Sequence, residues 1–211
     1  MFQAGILDHV LLIGSWCTSF YKQYFSKVEF NPIIRTRDID FLVNARPKFK
    51  GNVDLEEILR PLGFEVEFFG KGYMKLESDE LSIEFLVPEF GRDHEKPLPL
   101  PALKLNAQPL RHLELLWRKP ITVKTSNISI KLPHPVDYAL QKLVIVTKRK
   151  KAEKAEKDRQ GAFAVLDAVM ESGELAEFKL AMKNLSKKEL KTVIAELERA
   201  GRKDLLSLLQ L

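Results

Sequence analysis

Arg35-Thr36-Arg37-Asp38-Ile39-Asp40-Phe41-Leu42-Val43 alternates polar and apolar side chains with a period of two, as a half-buried β-strand does. On such a strand Ile39, Phe41 and Val43 face one way, into a core, while Asp38 and Asp40 face the other way, side by side. Two carboxylates at i and i+2 repel each other unless a cation neutralises them. A ligand set made of oxygen alone suits Mg²⁺ or Mn²⁺. The strand therefore reads either as a solvated strand face or, with a cation between the acids, as one wall of a metal site.

Upstream, His9 to Ile13 reads as a buried strand stopped by Gly14-Ser15, after the end of a short helix over residues 2–8. Trp16 to Lys27 reads as a helix whose aromatics Phe20, Tyr21, Tyr24 and Phe25 belong to the core. Strand, Gly-Ser, helix can bind phosphate: glycine lets backbone approach, serine adds a hydroxyl, and the helix start adds a positive dipole. An ordinary strand-to-helix turn has the same wording.

Downstream, Asn31-Pro32 and Lys48–Asn52 read as loops, and Asp54 caps a helix over Leu55–Leu62 that Gly63 ends. Phe64–Phe69 and Tyr73–Glu77 form a hairpin around Gly70-Lys71-Gly72. Leu81–Val87 alternates again, with Ile83, Phe85 and Val87 on one face, Glu84 on the other, and Pro88 as the stop. Residues 91–110 read as an irregular loop, His94 being incidental. His112–Trp117, Ile121–Thr125 and Ile128–Leu132 read as short strands.

Pro133-His134-Pro135 marks a boundary, with an α/β part at 1–134 and an all-helical part at 135–211. The first helix, Val136–Lys151, carries a stripe of Val136, Leu140, Leu143 and Val144, with Lys142 on its flank. Phe163–Met170, Glu174–Met182 and Glu189–Ala200 follow, the last opened by the capping box Ser186-Lys187-Lys188-Glu189, and Leu205–Leu211 closes the chain.

The chain has 211 residues, 45% of them apolar, which supports a real core and excludes disorder throughout. A net charge of +5 permits a polyanionic partner without requiring one. Lys148 to Arg159 holds seven Lys/Arg against three Asp/Glu, a surplus of four positive charges, read as a solvated helix surface or as a contact for tRNA or another RNA. The single cysteine, Cys17, excludes an internal disulfide and a Cys-rich zinc site and fits a reducing cytoplasm. Asp8 and His9 interrupt the apolar N-terminus, so neither a signal peptide nor a membrane span is read.

Taken together, Leu11-Leu12-Ile13-Gly14-Ser15, then Asp38-Ile39-Asp40-Phe41-Leu42, then Ser-Ile-Glu-Phe-Leu-Val around Glu84 resembles the polymerase-β-like nucleotidyltransferase superfamily. The wording is similar to stand-alone bacterial members and to the nucleotidyltransferase toxins of toxin–antitoxin systems. Lys142-Leu143, Arg149 and Lys157-Asp158 match the order those toxin-like members carry, with Lys-Asp opening a helix. Sixteen residues put Lys142 and Asp158 on roughly opposite faces of one straight helix, so they share a site only if the chain turns between them. Glu84 stands where the family more often has Asp, and Gly161 where it has a second acid.

The resemblance implies an α+β fold, a nucleotidyltransferase-type mixed sheet flanked by helices and followed by the all-helical part. It implies transfer of a nucleoside monophosphate from an NTP, with two Mg²⁺ or Mn²⁺ ions held by Asp38, Asp40 and Glu84. Glu84 would ligate the second ion or take the acceptor proton. Gly14 and Ser15 would hold phosphates, with Arg35, Arg37, Lys142 and Asp158 as further nucleotide contacts. The alternatives are an inactive member of the fold that binds nucleotide or partner, and a helical interaction module that meets a protein partner or a second copy through the C-terminal helices.

Overall fold

The computed structural model of the chain describes residues 1–31, 36–44, 49, 51–89 and 96–209. Arg35 and His94 lie outside the described residues. Two compact units form: Met1–Phe20 with Ile34–Pro133, and Tyr21–Ile33 with His134–Leu211.

In the first unit a 3-10 turn at Ile6–His9 leads into β1 (Val10–Ile13), whose four residues are all buried. α1 (Trp16–Tyr24) starts directly after Gly14-Ser15 and ends three residues earlier than the sequence suggests. β2 (Asp38–Val43) changes from exposed at Asp38 to fully buried at Phe41, Leu42 and Val43, so the acids stand at its open end. Asp54 caps α2 (Leu55–Leu59) by accepting from the Glu57 N–H, and a 3-10 turn ends at Gly63 with φ of 80°. β3 (Glu65–Phe69) and β4 (Tyr73–Glu77) make the expected hairpin.

β5 (Ser82–Pro88) completes the main sheet, whose strand order is β1-β2-β5-β4-β3. β2 and β5 run parallel, while the β1–β2, β5–β4 and β4–β3 pairs are antiparallel. Alternation gives β2 and β5 a shared apolar face, on which Phe41 and Phe85 stack with centroids 5.7 Å apart.

Residues 91–95 lie outside the described residues, and the rest of the stretch read as a loop, 96–110, is more ordered than a loop. β6 (Leu98–Leu100) pairs antiparallel with β7 (Leu105–Leu110), and β7 runs parallel to the second half of β5. His112–Trp117 is no strand either; a 3-10 turn occupies Glu114–Trp117. β8 (Ile121–Thr125) and β9 (Ile128–Leu132) form a separate antiparallel ribbon.

The second unit is helical. Tyr21 and Phe25 are buried, and Tyr21 meets Tyr138 edge-on at 5.5 Å. α3 (Pro135–Val146) opens with proline at its first turn, and the buried His134 ring accepts from the Val136 N–H. It stops at Val146, five residues short of the sequence reading. α4 (Ala152–Glu171) begins eleven residues before Phe163, because its charged first half carries little of the apolar stripe. α5 (Leu175–Lys183), α6 (Lys187–Arg199) and α7 (Lys203–Ser207) follow. Ser186 and Glu189 form the capping box. Leu205 is buried and Leu206, Leu208 and Leu209 are half-buried. Among the described residues, no helix is long and apolar enough to cross a membrane.

Candidate active site

Register brings the acids together. Asp40 lies directly opposite Glu84 on the neighbouring parallel strand, and Asp38 opposite Ser82, so Asp38, Asp40 and Glu84 occupy one sheet face. On the other side of β2, Ile13 is the partner of Asp40, which brings Gly14 beside the Asp40 side chain. Gly14 has φ of +71°, and a Cβ there would overlap Asp40 Oδ2 and lie 3.2 Å from Asp40 Cγ. Glycine at 14 is thus required twice, by the left-handed backbone and by the carboxylate that fills the space of its absent side chain.

Ser15 and Trp16 tie the start of α1 to the segment before the acids. Ser15 Oγ is 2.9 Å from Thr36 Oγ1, and Trp16 Nε1 donates to the Thr36 carbonyl at 3.2 Å. Thr36 was not singled out by the sequence reading, since only the fold sets it against Ser15.

Arg37 turns away from the acids. Its guanidinium donates to the carbonyls of Ser78 at 2.9 Å and Glu80 at 3.2 Å, fixing the β4–β5 turn. It borders a cavity of about 890 Å³ whose other lining includes Glu65, Glu67, Glu77, Asp79 and Glu80. Lys75 is the second residue missed in sequence: it is the register partner of Glu84 on β4, and the two form an ion pair at 3.3 Å.

In the helical unit Lys142 and Asp158 do meet. Lys142 Nζ is 2.7 Å from Asp158 Oδ1, and Arg149 Nε is 2.5 Å from Asp158 Oδ2. The turn between α3 and α4 satisfies the geometric condition that a single helix could not. Asp158 does not open a helix, however, nor is it an N-cap; it sits in the second turn of α4, where both its oxygens already serve cations of this chain. Burial pushes its carboxyl up, and the charges and hydrogen bonds of Lys142 and Arg149 outweigh that, holding it below the usual carboxylate range.

The donors on the sheet face are of the chemical type that a hard divalent cation takes. Asp38 and Asp40 offer oxygen alone, at i and i+2, and the missing Cβ of Gly14 leaves the Asp40 carboxylate its place. Glu84 extends the same row, with Lys75 beyond it.

A sequence model of a family described as nucleotidyltransferase matches residues 1–186. No curated protein matches the chain in sequence. Among solved structures, an antigenic nucleotidyltransferase-like protein from Paracoccidioides brasiliensis is similar over 99% of this chain and 88% of its own, with a TM-score of 0.53 and 15% identity. That likeness is one of fold. The antibiotic-resistance factor ANT(2'')-Ia aligns over 96% of this chain and 80% of its own at 9% identity, but with a TM-score of only 0.37.

Proposed function

Because the chain belongs to the nucleotidyltransferase family, we propose that it moves a nucleoside monophosphate from an NTP to an acceptor hydroxyl or phosphate and releases pyrophosphate, with the chemistry in residues 1–134. The observation that carries this reading is the row of carboxylates. Asp38, Asp40 and Glu84 share one face of two adjacent parallel strands, and Asp40 occupies the space that Gly14 leaves open.

Asp38 and Asp40 are the ligands we assign to Mg²⁺ or Mn²⁺, which when bound offsets phosphate charge and activates the acceptor oxygen. Gly14, Ser15 and the first turn of α1 take the phosphate tail through backbone N–H groups, with the Ser15 hydroxyl oriented by Thr36. Glu84 has two roles open to it: metal ligand, or base for the acceptor proton. Lys142 and Asp158 are assigned to the nucleotide from the family resemblance alone; within the helical unit they pair with each other. Arg35 is assigned to the nucleotide from its sequence position alone. Arg37 supports the β4–β5 turn and reaches nucleotide only by giving up its carbonyl partners.

Two observations bear on the acceptor. The Lys148–Arg159 run, at the start of α4, favours RNA. The cavity lined by Glu65, Glu67, Glu77, Asp79 and Glu80 belongs to the same unit as the carboxylates and favours a cationic small molecule, since it would repel a phosphate backbone. The second reading has the stronger support.

The test is calorimetry with each NTP in the presence of Mg²⁺, on the wild type and on Asp38→Ala/Asp40→Ala, followed by transfer assays on polyamines, amino sugars and tRNA. Metal-dependent binding lost in the double variant supports the site. A folded wild type that binds no NTP, with or without acceptor, moves the chain to the inactive-fold reading.

A further inference from the structure

Glu84 stands between two neighbours of opposite charge. Across β2 its register partner is Asp40; across β4 it is Lys75. The Lys75 ammonium lies 3.3 Å from Glu84 Oε2, with only 22% and 18% of the two side chains exposed. It also sits 5.4 Å from the centroid of the Phe69 ring, and Glu67 is its register partner on β3. A carboxylate and an aromatic face thus hold the cation, and a pair this well covered is screened less than one in open solvent. Lysine has no lone pair to offer a metal while charged. A divalent ion that took Glu84 as a ligand would have to displace the ammonium or sit against it as a like charge.

We propose that Lys75 is a positioning residue, a built-in cation that occupies the third carboxylate, so that the site loads one divalent ion on Asp38 and Asp40 and leaves Glu84 to the acceptor. This rests on the reading of Asp38 and Asp40 as ligands given above and decides between the two roles left to Glu84. In the transfer, the acceptor O–H bond breaks and its proton passes to Glu84. The acceptor oxygen bonds to the α-phosphorus, and the bond from that phosphorus to the bridging oxygen breaks as pyrophosphate leaves.

The test counts metal rather than turnover. Mn²⁺ bound per chain is measured by electron paramagnetic resonance with a non-hydrolysable NTP at saturation. The wild type binds one ion. Lys75→Met binds a second, at least about tenfold tighter than any further ion on the wild type, because the competing charge is gone. Glu84→Gln keeps the first ion, with affinity within about twofold, as expected for a group outside its coordination. Two ions on the wild type, one ion on Lys75→Met, or a lost ion in Glu84→Gln overturns the proposal. Lys75→Gln repeats the measurement if the methionine variant does not give the wild-type circular dichroism. A wrong count with Asp38 and Asp40 still required defeats this inference alone; no Mn²⁺ on the wild type defeats the proposed function and the inference with it.

Discussion

The sheet and the helical unit each hold a cluster of charge, and the two are built in opposite ways. On the sheet, Asp38, Asp40 and Glu84 stand on one face, and Lys75 is the cation paired with the last of them. In the helical unit a single carboxylate, Asp158, is gripped by both Lys142 and Arg149 and is almost wholly buried. The helical cluster supplies its own counter-charge, so it can close without a ligand. The sheet row gathers like charges toward the exposed end of β2, an arrangement that folding alone does not favour. A row of like charges marks where a cation is to be sought, and a carboxylate whose two oxygens are both paired marks where one group holds another in place.

The largest expected effect tests the sheet half of that contrast. Asp38→Ala/Asp40→Ala should abolish Mg²⁺-dependent NTP binding and lower transfer by about 10³-fold or more, about 4 kcal/mol of transition-state stabilisation. Its melting temperature should hold or rise, since like charges are removed. Calorimetry and a thermal melt check both, and a variant that melts earlier yet binds NTP normally would erase the distinction.

The helical half should respond the other way. Asp158→Ala leaves two covered cations without their carboxylate and should cost roughly 3 kcal/mol of stability, read by urea unfolding. Because the folded carboxyl is held below its ordinary value, the stabilisation it gives is present above the unfolded value of about 4 and disappears as pH falls through the folded one. Stability of the wild type should therefore fall on acidification below about pH 4, and Asp158→Asn should flatten that limb.

Two glycines sharpen the contrast further. Gly14→Ala and Gly63→Ala both place alanine at positive φ, but at Gly63 a Cβ meets nothing within 4 Å. Both should lose about 1–2 kcal/mol of stability to backbone strain. Only Gly14→Ala should also weaken Mg²⁺–NTP binding, as Asp40 is pushed from its place. Equal affinities in the two variants would remove Gly14 from the site. The smallest effect is expected at Ser186→Ala, which loses the α6 capping box for about 1 kcal/mol and should leave nucleotide binding unchanged.

Much of the candidate site's geometry was legible because its signals are local. Alternation in 38–43 and 81–87 and the Gly14-Ser15 break are all read within a few residues, and the sheet adds only the register that joins them. The same locality explains the Asp54 cap and the Ser186–Glu189 box. What was missed depends on partners far away in the chain. Lys75 looks like any hairpin lysine until β4 is laid against β5, and Thr36 matters only through Ser15. β6 and β7 were hidden by Pro99 and Pro109, residues that usually argue against a strand. The first half of α4 was hidden by charge, since a solvated helix surface has no apolar period to read.

The unit to which the second half of α1 belongs sets the order in which the chain can assemble. Tyr21–Ile33 belongs with His134–Leu211, so the sheet unit's main stretch is an insertion within the helical unit. As the chain leaves the ribosome, Ile34–Pro133 can fold while Tyr21 and Phe25 still await α3, and the helical unit closes only after its C-terminal helices emerge. A cut at residue 134 would therefore yield no free-standing helical piece, since it removes Tyr21 from Tyr138 and Tyr24 from Glu174. A dissection that respects the fold would keep residues 21–33 together with residues 134–211.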